Sequence, residues 1–288
     1  MRISVVIPTH GRLEDVYNLL HCIKRQSVKP LEVIIVDDTP SSVIEVLCNE
    51  TRAELKEGGI ELLYLRNPKR PSSATARNIG AKVAKGDIIL FFDSDVILLG
   101  NYIKNIIEVF KSHPLVLGVQ GFEIRKKGWK RYSLLSFLWN QLMRKLFFLT
   151  IYTQDSCRLF EYPIILTRII TCEWLAGSNM AWKKEVFSEF SFDENLMGYA
   201  YMEDLLFSHS VFQKYPNSLL ITPKAKCIHK LSKTARMANQ EFKEHAQRYR
   251  KYVLTKLLGL KGLYIYIMQN FGAILVSLTK KIRASVKK

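Results

Sequence analysis

Four short apolar runs, separated by three stretches with helical spacing, dominate the first ~120 residues and limit what this chain can fold into. The runs are Ile3-Ser4-Val5-Val6-Ile7, Leu31 to Val36, Ile60 to Leu65 and Ile88 to Phe92. Between them, Arg12 to Arg25 places Val16, Leu19, Leu20 and Ile23 on one face, Ser41 to Lys56 reads as a helix closed by Gly58-Gly59, and Ser72 to Ala84 is a helix rich in alanine. Apolar strands separated by helices require a mostly parallel sheet covered on both faces, because each crossover returns the chain to the same edge. The fold class is therefore α/β and Rossmann-like.

In such a sheet, ligands bind beyond the carboxyl ends of the strands. Three polar clusters fall there: Pro8-Thr9-His10-Gly11-Arg12, Asp37-Asp38 and Asp93-Ser94-Asp95. The last is the most demanding. Side chains alternate along a strand, so Asp93 and Asp95 can point the same way from the end of the run Leu90-Phe91-Phe92. Two carboxylates side by side repel, and burial strengthens the repulsion. They are compatible when a cation sits between them and a phosphate-bearing ligand.

The second half is less regular. A basic run from Arg125 to Arg131 leads into an apolar-rich stretch, Leu134 to Tyr152. Trp174 to Phe187 holds the small-residue turn Ala176-Gly177-Ser178. Phe192-Asp193-Glu194 follows, then Glu203-Asp204 opening a helix. His229 follows a predicted strand. From Lys224 onward only Glu241 and Glu244 oppose many Lys and Arg, and the whole chain of 288 residues carries a formal charge of +17. Such charge suits nucleic acid, an anionic membrane or phosphorylated substrates. No zinc-finger spacing or RNA-binding aromatic signature accompanies it, so nucleic acid is set aside. The cysteines Cys22, Cys48, Cys157, Cys172 and Cys227 are scattered and odd in number, which reads as free buried thiols in a reducing compartment. A strand begins almost at the first residue, leaving no room for a cleavable leader, so the expected location is cytoplasmic.

The motifs taken in order resemble the inverting family 2 glycosyltransferases with a GT-A fold. They are Val-Val-Ile-Pro-Thr at 5–9, Val-Asp-Asp at 36–38, Ala-Arg-Asn-Ile-Gly at 76–80, Phe-Asp-Ser-Asp at 92–95, Phe-Asp-Glu at 192–194 and Glu-Asp-Leu-Leu-Phe-Ser at 203–208. The resemblance covers roughly Ile3 to Arg236. It implies a catalytic domain over 1–235, divided into a nucleotide-sugar half (1–123) and an acceptor half (124–235), with a basic, apolar helical region over 236–288.

It also implies roles. Pro8, Thr9 and Arg12 would lie by the nucleotide of a nucleotide-diphosphate sugar, with UDP favoured over GDP. Asp38 would accept a hydrogen bond from the base; a helix N-cap is its structural alternative. Arg77 would approach the diphosphate or the aspartates, Ser94 would line the donor site, Asp93 would bind ribose or assist the metal, and Asp95 would ligate Mn²⁺ or Mg²⁺. Asp204 would be the general base that inversion requires, with adjacent Glu203 as the other candidate. His229 would complete the metal site or touch the diphosphate, and Lys233 and Arg236 would hold phosphate oxygens. Trp174 and Gly177 would shape the sugar and acceptor pocket. A non-catalytic GT-A-like binding protein and a retaining transferase are the competing readings; the retained Asp93, Asp95 and Asp204 argue against the first.

One departure bears on the product. Polymer-making relatives carry Gln-X-X-Arg-Trp after the base, whereas here Gln247 and Arg250 have that interval but Lys251 stands where Trp belongs. Transfer of a single sugar is the expectation. Leu257 to Leu278 is about long enough to cross a bilayer, but Lys261, Gln269 and Asn270 interrupt it and cations flank both ends. A helix lying in the interface, at the cytoplasmic face, fits better, with Leu134 to Tyr152 as a second contact. The acceptor would then be lipid-linked, or a glycan. The sequence leaves the oligomeric state open.

Overall fold

The computed structural model describes residues 1–124, 142–153, 156–232 and 239–285. β1 (Ile3–Thr9), β2 (Glu32–Asp37), β3 (Glu61–Arg66) and β4 (Ile88–Phe92) pair in parallel, in the order β3-β2-β1-β4. β1, β2 and β4 are buried along their whole length, which is why they read as unbroken apolar runs. β3 alternates toward exposure at the edge.

The sheet then changes character. β10 (Asn179–Lys183) runs antiparallel to β4 and to β6 (Gly118–Glu123); β11 (Leu219–His229) is parallel to β6 and antiparallel to β5 (Val96–Leu98) and to β9 (Ile170–Thr171). The expected parallel sheet therefore holds for the first half and becomes mixed in the second. The expected turn at Ala176-Gly177-Ser178 leads into β10, whose pairing joins the two halves. A separate pair, β7 (Ile151–Thr153) with β8 (Glu161–Pro163), is parallel.

Helices cover both faces. α1 (Leu13–Lys24), α2 (Val43–Glu57) and α4 (Tyr102–Ser112) pack one core; α3 (Ser73–Val83) and α5 (Glu203–Lys214) pack the other. Ser72 caps α3, its hydroxyl accepting from the Thr75 amide. Gly80 explains one expected motif: a Cβ there would lie 2.3 Å from Val6 Cγ1, so only glycine lets α3 reach β1. Asn78 of the same motif donates to the Phe192 carbonyl (2.9 Å) and to Glu194 (3.0 Å) while accepting from the Phe192 amide, fixing Phe192-Asp193-Glu194 against α3.

The last element, α6 (Asn239–Ser285), contains one non-helical residue, Gly259 (φ 57°, ψ −133°), which kinks it. Its first part holds the chain around Asp193 and Met197: Tyr252 and Lys256 bond Asp193, and the Tyr249 hydroxyl bonds the Met197 backbone. Its second part packs on residues 142–150, where Phe147 meets Phe271 and Gln269 donates to the Phe148 carbonyl (2.7 Å). No helix among the described residues is long and apolar enough to cross a membrane. The basic run Arg125 to Arg131 and the first part of the apolar-rich stretch, residues 134–141, lie outside the described residues. All five cysteines are free; only Cys22 is not fully buried.

Candidate active site

A cavity of about 1660 Å³ opens at the carboxyl ends of the parallel strands. Thr9, Asp38, Arg77, Asp93, Ser94, Trp174, Gly177, Glu203, Asp204 and His229 all line it, with Pro8 and Arg12, so most of the residues singled out by sequence converge on one space, while Asp95 is buried and off its lining. Lys233 and Arg236 lie outside the described residues.

At one end, β1 delivers Thr9 and β2 delivers Asp37 and Asp38. Asp37 turns inward: its carboxylate accepts from the Thr39 amide (2.8 Å) and the Tyr64 hydroxyl (3.0 Å). Asp38 faces the cavity and accepts from Asn67 Nδ2 (2.6 Å) and the Ser72 amide (2.9 Å). It follows β2 without capping α2, whose N-cap is Ser42. Burial raises its carboxyl above the usual range, against those two hydrogen bonds. Thr9 Oγ1 is buried with no hydrogen-bond partner among the described residues, a polar atom left for a ligand.

Next along the sheet edge, β4 ends at Phe92 and the chain turns through Asp93-Ser94-Asp95. Asp95 is buried behind Asp93. It takes His229 Nε2 (3.1 Å), the Arg12 guanidinium (3.2 Å) and the Ser232 amide (2.9 Å). Burial would raise this carboxyl, but His229, then Arg12 and the amide, outweigh it and hold it at about 2. Arg12 thus sits on Asp95 as well as on the cavity wall. Burial would depress His229, yet its hydrogen bonds to Asp95 and Glu123 and the nearby aspartates lift it to about 10. Glu123, at the end of β6, lies 3.7 Å from His229 Nδ1 and was not singled out in the sequence. Ligand atoms of Asp93, Asp95 and His229 lie within 4.8 Å of one another. Two carboxylates and an imidazole are the donor types of a Mn²⁺ or Mg²⁺ site, the nitrogen favouring Mn²⁺.

On the far wall, Arg77 is fully buried and spans the two halves. Nη1 bonds Glu203; Nη2 bonds Asp93 (2.8 Å) and the Gly177 carbonyl (3.3 Å). It is a buried link and not a surface ion pair. Burial pushes the Glu203 carboxyl up to about 8, with Arg77 pulling the other way. Asp204 is turned toward Gly177, whose amide donates to Oδ2 (2.7 Å), while its own Oδ1 takes the Leu205 amide (2.8 Å). Burial raises Asp204 too, opposed first by the Gly177 amide. A Cβ on Gly177 would sit 3.1 Å from Arg77 and 3.2 Å from Asp204, so glycine sets this approach. Trp174 lines the cavity while its indole N–H bonds the carbonyls of Arg158 (3.1 Å) and Glu161 (3.2 Å), a structural use as well.

The backbone before Glu203 is strained. Ala200 (φ 45°) and Met202 (φ 69°), the latter the N-cap of α5, lie in the left-handed region, disfavoured for residues with a Cβ. Hydrogen bonds anchor the loop just ahead of them. Ser72 Oγ donates to the Leu196 carbonyl (2.6 Å), and the Gly198 amide and carbonyl pair with Pro71 and Ser73.

A sheet covered on both faces, opening a carboxylate-lined cleft at its strand ends, is the GT-A arrangement. Residues 4–170, more than half of the chain, match the glycosyl transferase family 2 model, and the chain belongs to that family. The match stops short of Asp204 and His229. Among relatives, the uncharacterized glycosyltransferase YwdF of Bacillus subtilis is 34% identical over 116 residues, 40% of this chain and 41% of that protein. The Escherichia coli protein WfaP, a UDP-Glc:α-D-GlcNAc-diphosphoundecaprenol β-1,3-glucosyltransferase, is 24% identical over 43% of this chain and 47% of its own. The matched stretch thus spans less than half the length of these curated relatives. The fold is shared with the Pyrobaculum calidifontis mannosyltransferase PcManGT, solved with GDP-Man and Mn²⁺ (TM-score 0.56, 16% identity, 98% of this chain and 80% of that one).

Proposed function

We propose that this chain is a metal-dependent inverting glycosyltransferase that moves one sugar from a nucleotide-diphosphate sugar, a UDP-sugar in first place, to a lipid-linked or glycan acceptor. The observation that carries the reading is the placement of Asp38, the Asp93/Asp95/His229 cluster and Asp204 around one cavity. Thr9 and Asp38 hold the nucleoside, Asp38 accepting a base N–H. Asp93, Asp95 and His229 would hold Mn²⁺ or Mg²⁺, which would supply Lewis-acid stabilisation of the charge on the departing diphosphate. Arg77 keeps Asp93 and the Gly177 carbonyl in place. Asp204, oriented by the Gly177 amide, takes the proton of the acceptor hydroxyl as its oxygen attacks opposite the leaving group, a contribution of about 10²–10⁴-fold.

The donor and acceptor classes draw support from WfaP, whose name gives a UDP-sugar and a diphosphate-linked lipid. Leu260, Tyr264, Ile267, Phe271, Ile274 and Leu278 form an exposed apolar stripe on α6. The sequence from Leu257 onward holds Lys261, Lys280, Lys281 and Arg283 and no acid. This is the composition of a peripheral contact with an anionic membrane.

The test is donor turnover with and without metal. Chelation abolishes turnover of the wild-type chain, Mn²⁺ restores it, and Asp95→Ala loses the metal-dependent part. Full turnover after chelation, with no gain on adding Mn²⁺, would remove the metal from the mechanism.

A further inference from the structure

The basic side chains on the cleft wall are His10, Arg12, Arg77, His229, Lys230 and Arg250. Five of them are engaged. His10 bonds the Asp38 carbonyl (3.0 Å), Arg12 and His229 bond Asp95, Arg77 bonds Glu203 and Asp93, and Lys230 lies 2.5 Å from Asp15. Among the described residues, Arg250 alone of these has no hydrogen bond or ion pair. A half-buried guanidinium facing a cleft without a counter-ion is a site for an anion, and its planar fork matches phosphate oxygens.

Its position says which substrate brings the anion. Tyr249, the preceding residue, exchanges hydrogen bonds with the Met197 backbone (3.0 and 3.2 Å), and Phe242, two turns earlier, packs edge-on against Tyr199 (5.5 Å) and Tyr201 (5.8 Å). This face of α6 is therefore fixed to the loop that ends in Glu203-Asp204, on the side of the general base. On the transferase reading, the charge of a donor diphosphate would be met elsewhere, by a metal held at the Asp93/Asp95/His229 cluster. The cavity, about 1660 Å³, exceeds the ~300–1,000 Å³ of a pocket for one small ligand, leaving room for a second substrate. Gln247, the other half of the Gln-X-X-Arg interval, is exposed, so only the arginine reaches the cleft.

We propose that Arg250 is the receptor for a phosphate group carried by the acceptor, so that the acceptor class is a phosphate- or diphosphate-linked amphiphile and not a neutral glycan. The proposal rests on the transferase reading above and narrows its acceptor.

The experiment measures equilibrium binding to the full chain with Mn²⁺, using farnesyl phosphate, farnesol and UDP as probes. Arg250→Ala removes the cation in the cleft; Arg248→Ala removes an exposed cation from the same helix. The expected result is a loss of about 10- to 100-fold in farnesyl phosphate affinity for Arg250→Ala, the range of one charge-assisted hydrogen bond or pair, with farnesol and UDP unchanged. Arg248→Ala changes none of the three by more than about twofold, the size of an exposed charge's contribution. Equal loss of farnesyl phosphate in both variants reduces the effect to general charge and overturns the proposal. Loss of UDP affinity in Arg250→Ala reassigns the arginine to the donor diphosphate and overturns it as well. Unchanged farnesyl phosphate binding overturns it while UDP binding to the wild type leaves the transferase reading standing; absence of UDP binding to the wild type defeats that reading itself.

Discussion

Replacing Arg77 by methionine probes the link between the two halves of the cleft. The side chain is 3% exposed, its partner Glu203 8% and its partner Asp93 32%. At 2.8 Å the Arg77–Asp93 attraction is about 6 kcal/mol for an effective dielectric of about 20, most of it offset by desolvation. Two regimes follow from Glu203, whose folded-state carboxyl stands at about 8 against 4.5 for the free group. A carboxyl raised in this way costs stability as pH climbs from the unfolded value to the folded one, in wild type and variant alike. Below about 8 both proteins keep the proton, so the difference between them is lost hydrogen bonds and packing, about 1–3 kcal/mol. Above it the wild type ionises beside Arg77 and the variant has no cation there, so the gap widens toward about 3–5 kcal/mol. Urea unfolding at pH 6.5 and pH 9.5 reads both values. Arg77→Met/Glu203→Leu removes the buried carboxylate too, and the widening disappears. A gap that stays constant between the two pH values would refute the coupling of Arg77 to Glu203.

Two further outcomes follow from the same geometry. Asp204→Asn lowers kcat by about 10²–10⁴-fold and spares UDP binding; because burial raises Asp204 and the base acts ionised, wild-type activity falls with decreasing pH on a limb above the ordinary aspartate value of 3.8, measured as kcat/KM against pH. Flotation with anionic liposomes carries the chain upward at low salt, and Phe271→Glu with Ile274→Glu leaves it in the soluble fraction; retention of the double variant on the vesicles would exclude the α6 stripe as the contact.

The first half of the fold was legible because its strands are buried on both faces and its helices carry clean spacing. Asp38, Asp93 and Asp204 were legible for a related reason: each follows a strand or opens a helix, so its place in the fold comes with its place in the motif. Lys230 on Asp15 and Ser72 on Asp38 were not, since both contacts join residues far apart in sequence. Glu123 escaped because a single acid at the end of β6 has no local signal; only the return of β11 brings His229 to it. The mixed pairing around β10 was hidden for the same reason. Asn179 to Lys183 has strand composition, but nothing local states which neighbour it meets. Phe192-Asp193-Glu194 was recognisable as a motif without a role; its bonds to Asn78, Tyr252 and Lys256 show it to be a joint.

Ser72 touches Asp38 with its amide and Leu196 with its hydroxyl, and Tyr249 grips the next turn of that loop from the other side. The wall that carries Asp38 and the segment that carries Asp204 are therefore one piece of masonry, not two. An engineer wishing to exchange the segment around Asp204 cannot cut at a single point. Residues 69–73, 193–204 and the first part of α6 have to travel together, or the transplanted Asp204 arrives without the mortar that sets its position.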